Sequence, residues 1–472
     1  LSSRPNLIFV FADQLRYQSL GYAGDDKAIT PNFDAFAEQG MNFCNTVASA
    51  PVCTAYRAAL MTGKYTTSNG MVINELRINP NQRCFGHVLT DGGYDIAYIG
   101  KWHLYANQLG HHYEPRNSHI PPGPHRLGFD GLWAAFNFHH ESYGVYYHTD
   151  SEEKIPYGED VYEPDAQTDM AIDFIRGRDG ENPFALFLSW GPPHDPWNEE
   201  NVPERFWEMF EDVPFPHPQN YRAENDPYGD GWSYLNSEQR DELEGWRRTY
   251  YAQTTSLDWN FGRLIEAIEE GGIADDTILV FTSDHGEMFG AQGRRAKNIF
   301  YEEACRVPFL IRWPGRIKAG VSDACLSTPD LFPTLTSLIN LEYPKDVEGM
   351  DLSHLMLGER GPEPEAALMQ ICGATASWDD GHEWRALRDK RYTYAVYRAD
   401  GRELLFDDQN DPLQLNDLAG HSDHKETLVR FRTMLGSRMA ELNDTFECCT
   451  WYRDHWTDGD RRIIRSATCD WS

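Results

Sequence analysis

Long apolar runs are missing from this chain of 472 residues. The longest candidates, Leu7 to Ala12 and Phe184 to Leu188, fall far short of the roughly 20 residues that cross a bilayer. No membrane segment is expected. Basic residues are scarce: 42 Lys and Arg against 74 Asp and Glu give a net charge of −32. Such a surface repels phosphate backbones and anionic lipid headgroups, so neither nucleic acid nor a membrane is expected as a partner. Cysteine is thin as well. The nine thiols, at Cys44, Cys53, Cys84, Cys305, Cys325, Cys372, Cys448, Cys449 and Cys469, show no zinc-type spacing and are too sparse for a disulfide scaffold. Their odd number leaves one unpaired unless it is modified or joined to another chain. The opening Leu1-Ser2-Ser3-Arg4-Pro5 lacks the ordered regions of a signal peptide, and no internal repeat is evident.

With 40% hydrophobic and 25% charged residues, the composition is that of a folded protein with a sizeable core. Four short apolar runs stand out, each stopping at residues able to do chemistry. Leu7 to Ala12 ends at Asp13-Gln14, and Tyr94 to Gly100 ends at Lys101-Trp102-His103. Phe184 to Trp190 ends at Gly191-Pro192-Pro193-His194, and Thr277 to Thr282 ends at Ser283-Asp284-His285. Unbroken apolar runs of this length suit strands buried on both faces, as in a largely parallel sheet between helical layers. Ligands in such folds bind at the carboxyl ends of the strands, so the four polar ends are expected to converge.

Helical patterns fall between the runs. Thr30-Pro31 precedes Asn32 to Gln39 and Gly40, which supplies a cap, a first-turn proline and a stop. Between Arg247 and Glu270, Leu257, Phe261, Leu264, Ile265 and Ile268 recur at helical spacing before Gly271-Gly272. Residues 104–168 and 191–236 break this rhythm and read as long insertions near strand ends. The first carries His111, His112, His119, His125, His139, His140 and His148 among many Tyr and Phe residues, a composition suited either to a groove for sugars or aromatic groups or to ordinary packed loops whose histidines are solvated. After residue 360 the texture shifts to short strands at Arg385 to Leu387, Tyr392 to Tyr397 and Glu403 to Phe406, with a helix near Lys425 to Leu442. The expected architecture is a large mixed, mostly parallel α/β sheet sandwiched by helices (residues 1–360) with a smaller α+β C-terminal subdomain (residues 361–472).

Asp13 and Asp284 are hard carboxylate ligands flanked by Gln14 and His285, and oxygen-rich sets of this kind favour Ca²⁺ or Mg²⁺ over softer metals. A strand-end Asp alone is more often a turn or cap residue, but two such ends in one sheet weaken that explanation. Cys53 opens a helical stretch from Thr54 onward, where unpaired N–H groups stabilise an anion or a nucleophile. Arg57, one turn later, can face the same point and clamp an oxyanion.

These residues resemble the sulfatase family, within the alkaline-phosphatase-like superfamily. The likeness runs through PNLIFVFADQ, TPNFDAFAEQGMNF, Cys53-Thr54-Ala55-Tyr56-Arg57 followed by AALMTGKY, GKWHL, PPHDPW, TSDHGE, RRAKNIFYEEACRVPFLIRWPG and FDDQNDPLQLNDL. The resemblance implies hydrolysis of sulfate monoesters by a Cys53 oxidised to formylglycine, whose hydrate is the nucleophile. It implies that Asp13, Gln14, Asp284, His285 and the modified Cys53 hold a divalent cation, Ca²⁺ ahead of Mg²⁺. By the same carry-over Arg57 steadies the hydrate, Lys101 and Lys297 bind sulfate oxygens, and His103 and His194 serve the nucleophile and the leaving group. A formylglycine-generating enzyme is the implied maturation partner. The implied location is periplasmic or secreted, with any signal peptide outside this chain.

Two departures from the family pattern stand out. Ala55 occupies the position where the signature usually has Pro, and Gln14 stands where many members have a second acid. The latter resembles the branch of phosphonate monoester and phosphodiester hydrolases, which is the alternative enzymatic reading. A non-catalytic protein that binds sulfated glycans through an unmodified Cys53 is the alternative outside enzymology. The aromatic and His-rich insertions point to a sulfated carbohydrate or its oligosaccharides as substrate.

Overall fold

The computed structural model describes residues 4–465 apart from 109, 179 and 181. Leu1 to Ser3 and Cys469 therefore lie outside the described residues. The main sheet has eight strands: β1 (Asn6–Ala12), β2 (Met41–Phe43), β3 (Asp95–Lys101), β4 (Leu132–Phe136), β5 (Phe184–Ser189), β6 (Thr277–Ser283), β7 (Phe309–Arg312) and β8 (Gly320–Ser322). Their order is β8-β2-β7-β6-β1-β5-β3-β4. The central run β6-β1-β5-β3-β4 is parallel throughout, whereas β7 pairs antiparallel with both β6 and β2.

The pleat explains why these strands read as unbroken apolar runs. Alternate side chains leave a strand on opposite faces, and here both faces are covered. Leu7, Phe9 and Phe11 join one core with Leu331 and Phe332. These two core residues come from helix Thr328–Leu338. Ile8, Val10 and Ala12 join the other core with Leu257, Phe261 and Leu264. Ala185 and Phe187 of β5 follow the first set, Leu186 and Leu188 the second. At ~1.5–3 kcal/mol per fully buried large apolar side chain, this double burial fixes which strands can be central.

Three helices matter for the site: α1 (Pro31–Gln39), α2 (Cys53–Thr62) and α3 (Ser237–Glu270). Asp258 on α3 accepts from the backbone N–H groups of Asn32 and Phe33, so the first turn of α1 is capped by its neighbour. Helix α3 starts ten residues earlier than the apolar spacing predicts, because a capping box between Asn236 and Gln239 nucleates a polar, exposed first turn. The stretch 104–168 also differs from a plain insertion. It contributes β4 at the sheet edge, where Trp133 to Phe136 are buried.

A second sheet, antiparallel and four-stranded, is formed by β9 (Ala367–Ile371), β10 (Trp384–Arg388), β11 (Tyr392–Tyr397) and β12 (Glu403–Asp407) in that order. Helix α4 (Lys425–Glu441) packs Leu428, Phe431 and Leu435 against it. The eight described cysteines are all free thiols. Among the described residues no helix is long and apolar enough to cross a membrane.

Candidate active site

Because β6, β1, β5 and β3 are adjacent and parallel, their carboxyl ends share one edge of the sheet. Asp13 follows β1, Asp284 and His285 follow β6, Lys101 is the last residue of β3, and His194 lies five residues beyond β5. Helix α2 opens at the same edge with Cys53 as its first residue and is buried along its whole length. Gly100 lets the end of β3 lie close against β5: a Cβ there would lie 2.0 Å from the Ser189 carbonyl oxygen, and its φ is +103°.

Ligand atoms of Asp13, Cys53, Asp284 and His285 all lie within 4.8 Å of one another, every one buried. Cys53 Sγ is 3.2 Å from His285 Nε2 and 3.8 Å from Asp13 Oδ1. His285 Nε2 is 3.7 Å from Asp13 Oδ1 and 3.5 Å from Asp284 Oδ1. The far oxygens of both carboxylates are gripped by Arg57, whose Nη2 donates to Asp13 Oδ2 at 3.1 Å and to Asp284 Oδ2 at 3.2 Å. Its Nη1 donates to the Lys101 carbonyl and to Ser189 Oγ. Arg57 thus turns the two Oδ1 atoms toward a common point. The two buried carboxylates and the Gln14 amide oxygen are hard oxygen donors of the kind Ca²⁺ and Mg²⁺ take, whereas the imidazole and the thiol sulfur are softer, so an oxygen at position 53 in place of the sulfur would complete a set suited to a hard cation.

Charges around this point are closely coupled. Burial and Cys53 push the Asp13 carboxyl up, yet Lys101, His194 and Lys297 hold it far below the usual carboxylate range. Asp284 is raised, by burial and then by Asp13. Burial opposes a charged Cys53, but Lys297, Lys101 and His285 bring its thiol well below the ordinary value. Lys297 Nζ donates to Cys53 Sγ at 3.1 Å and to Gln14 Oε1 at 2.8 Å, and lies 2.9 Å from His194 Nε2. Lys101 Nζ contacts Asp13 Oδ2 at 2.6 Å, so its ammonium lies on the Asp13 side of the cluster.

His194 is tied on its other nitrogen to Asp195, with Nδ1 and Oδ1 2.9 Å apart. Burial and Lys297 disfavour its charged form, but Asp195 and Asp13 outweigh them and lift it to about 9. His140 stacks on the same ring at 3.7 Å. His103 is buried beside Cys53, and burial lowers it to about 3, outweighing the Cys53 side chain, which raises it. Gln14 and His103 both hold positive φ, 69° and 53°, a strain of ~1–3 kcal/mol each that clusters at functional sites.

All ten residues singled out in the sequence lie in this one constellation. Two that sequence reasoning left without a role belong to it as well. Glu287 accepts from Gln14 Nε2 at 2.6 Å and from the N–H groups of Phe289 and Ala296. Asp195 orients His194. Both sit inside TSDHGE and PPHDPW, but only their partners reveal what they do. A cavity of about 230 Å³ opens onto Cys53, Gln14, His194 and Lys297. His112, Phe138 and His140 from the stretch 104–168 form one of its walls. The other histidines of that stretch turn elsewhere; His139, for example, pairs with Glu163.

The family model described as Sulfatase matches residues 5–341, and that described as N-sulphoglucosamine sulphohydrolase, C-terminal, matches residues 290–443. The chain is 34% identical to an ulvan-active sulfatase of Formosa agariphila over 459 residues, covering 95% of this chain and 84% of that protein. It is 26% identical to an N-acetylglucosamine-6-O-sulfatase of Bacteroides thetaiotaomicron over 518 residues, covering 94% and 88%. A crystal structure from Bacteroides fragilis, described as that of a sulfatase, yidJ, superposes with a TM-score of 0.82 at 33% identity, covering 94% of this chain and 97% of that one.

Proposed function

Since the chain belongs to the sulfatase family and is a sulfuric ester hydrolase, we propose that it acts on a sulfated carbohydrate through a formylglycine made from Cys53. Asp13, Gln14, Asp284, His285 and the modified Cys53 would hold a divalent cation, Ca²⁺ before Mg²⁺. The observation that carries this reading is the meeting of Cys53 Sγ with the Asp13, Asp284 and His285 ligand atoms within 4.8 Å, on the floor of a cavity whose wall is aromatic and His-rich. Two relatives are named for ulvan and for an N-acetylglucosamine sulfate, which supports a saccharide substrate. A glycan that cannot cross a membrane also fits a periplasmic or secreted enzyme, matured by a formylglycine-generating partner.

The hydrated aldehyde and the cation together supply a poised oxygen nucleophile and charge stabilisation for the sulfuryl group. The rest is done by this chain's side chains. Arg57 fixes both carboxylates and thereby the angle at which their free oxygens face Cys53. Lys297, 3.1 Å from the Cys53 sulfur, would hold a sulfate oxygen, and Lys101, 2.6 Å from Asp13 Oδ2, would add positive charge behind that carboxylate. His194, raised against burial by Asp195 and 2.9 Å from Lys297, would act with that lysine as the acid that protonates the departing alkoxide. His103, beside Cys53, would accept the proton of the second hydroxyl when sulfate leaves, which restores the aldehyde; burial makes it a weak base until charge builds up next to it.

The test is mass spectrometry of the tryptic peptide Ala28 to Arg57 from protein made with formylglycine-generating activity, followed by ester panels. Formylglycine at position 53 and release of sulfate from saccharides are expected. An unmodified thiol would overturn the nucleophile. Faster turnover of phosphonate monoesters or phosphodiesters than of any sulfate ester would overturn the substrate class.

A further inference from the structure

The site does not end at His194. Asp195 and Arg295 belong both to the wall of the inner cavity and to that of a second, more open groove of about 810 Å³. That volume lies toward the upper end of the ~300–1,000 Å³ range of ligand sites. Trp197, Trp207 and Trp246 line the groove. Trp246, on α3, lies 5.5 Å from Trp197 with the Arg295 guanidinium 5.9 Å from its ring. Trp232, 40% exposed, stands at the rim of the inner cavity, and its carbonyl accepts from Arg295 Nε. Flat apolar faces bordered by hydrogen-bonding groups match the alternating C–H and hydroxyl surfaces of a sugar ring.

The charge in the groove has the wrong sign for a sulfated ring. Glu141, Glu199, Asp241 and Glu242 line it, with Asp195 paired to His194, against only Arg248 and Arg295. Arg248 is already engaged with the Phe210 carbonyl and Glu244. Carboxylates accept sugar hydroxyl donors and repel sulfate. Direction follows from the reaction: His194 addresses the leaving oxygen, and Asp195, the next residue, is where the cavity opens into the groove. The sugar that bears the ester therefore extends over Asp195.

We propose that this groove is a saccharide subsite for unsulfated rings adjoining the sulfated one, so that the enzyme selects an oligosaccharide with an isolated sulfate over a densely sulfated chain. The proposal rests on the carbohydrate reading above. The probes are neutral oligosaccharides of one to six sugars built on galactose, glucose or N-acetylglucosamine. Each is chemically sulfated to an average of one ester per chain or one per ring, with 4-nitrophenyl sulfate as the groove-independent control. Sulfate release is followed chain by chain by liquid chromatography and mass spectrometry.

The expected result is a KM that falls with chain length for singly sulfated chains and rises when every ring is sulfated. Trp246→Ala should raise KM about tenfold on the longer chains, the loss of one stacking contact, with 4-nitrophenyl sulfate kinetics unchanged. The exposed double substitution Asp241→Lys and Glu242→Lys should lower KM on fully sulfated chains, a gain that misfolding cannot produce. A KM independent of length, or a Trp246→Ala loss equal on saccharides and 4-nitrophenyl sulfate, overturns the groove while leaving the carbohydrate reading intact. Hydrolysis of 4-nitrophenyl sulfate with no saccharide cleaved overturns both.

Discussion

Exchanging the amide of Gln14 and the carboxylate of Glu287 tests why this chain carries an amide at position 14. Gln14 sits between opposite demands: its Oε1 accepts from Lys297 at 2.8 Å while its Nε2 donates to Glu287 at 2.6 Å. All three residues are buried. Gln14→Glu sets two carboxylates against each other out of water and removes the donor to Glu287, a loss that Lys297 offsets only in part and that amounts to ~1–3 kcal/mol. Glu287→Gln removes one charged acceptor but leaves an amide oxygen for the Phe289 and Ala296 N–H groups, a loss of ~1–2 kcal/mol. In the double variant the amide at 287 donates to the carboxylate at 14, so the two losses do not add. The expected coupling is about 2 kcal/mol, within the ~0.5–3 kcal/mol seen for contacting residues. Equilibrium urea unfolding of the four proteins in EDTA measures it. Additive losses, or a Gln14→Glu protein within ~0.5 kcal/mol of the parent, would refute the argument that Glu287 dictates the amide.

Three further outcomes follow from the same geometry. His194→Ala should cost ~10²–10⁴-fold in kcat on saccharide sulfates, whose alkoxide leaves poorly, and far less on 4-nitrophenyl sulfate; equal losses on both would remove His194 from leaving-group protonation. Arg57→Lys should abolish turnover and lower stability by ~3 kcal/mol, because an ammonium cannot reproduce the paired contacts to Asp13 and Asp284; denaturant midpoints and kcat together check this. EDTA should stop sulfate release and Ca²⁺ should restore it, with a Ca²⁺-dependent gain of ~2.7 kcal/mol in unfolding free energy at a hundredfold excess over Kd; a thermal scan unmoved by Ca²⁺ would argue against the cation site.

Much of the framework around the candidate site was legible because of how its strands are buried. A strand covered on both faces must be apolar at every position, so β1, β3, β5 and β6 announce themselves and their ends mark the site edge. Leu132–Phe136 carries the same message weakly: its first residue is 42% exposed and the run is short. The start of α3 was hidden because its first turns face water and carry no apolar period. At the site, the chemical identity of Asp13, Cys53, Asp284 and His285 could be read, but not the division of labour between carboxylate oxygens. That Arg57 grips Oδ2 of both Asp13 and Asp284 depends on where α2 sits above the sheet. Glu287 and Asp195 escaped for a similar reason, since each acts through a neighbour and an acid on a loop is most often solvated.

A chain of net charge −32 that turns over an anion has to separate its charges in space. Arg57, Lys101 and Lys297 are 1%, 0% and 5% exposed, all within one constellation, whereas the acids of the outer groove face solvent. Surface charge is screened beyond ~8 Å at physiological ionic strength, so a distant acidic surface hardly opposes an approaching sulfate ester. The buried cations are screened far less, and their positions are set before substrate arrives by Asp13, Gln14 and the Arg57 contacts to both carboxylates. Preorganised charge of that kind stabilises the transferring group without reorganisation at the moment of reaction. The acidic surface therefore costs the reaction little, while the acidic groove next to the site retains influence over short distances, which is where a choice between bare and sulfated neighbouring sugars has to be made.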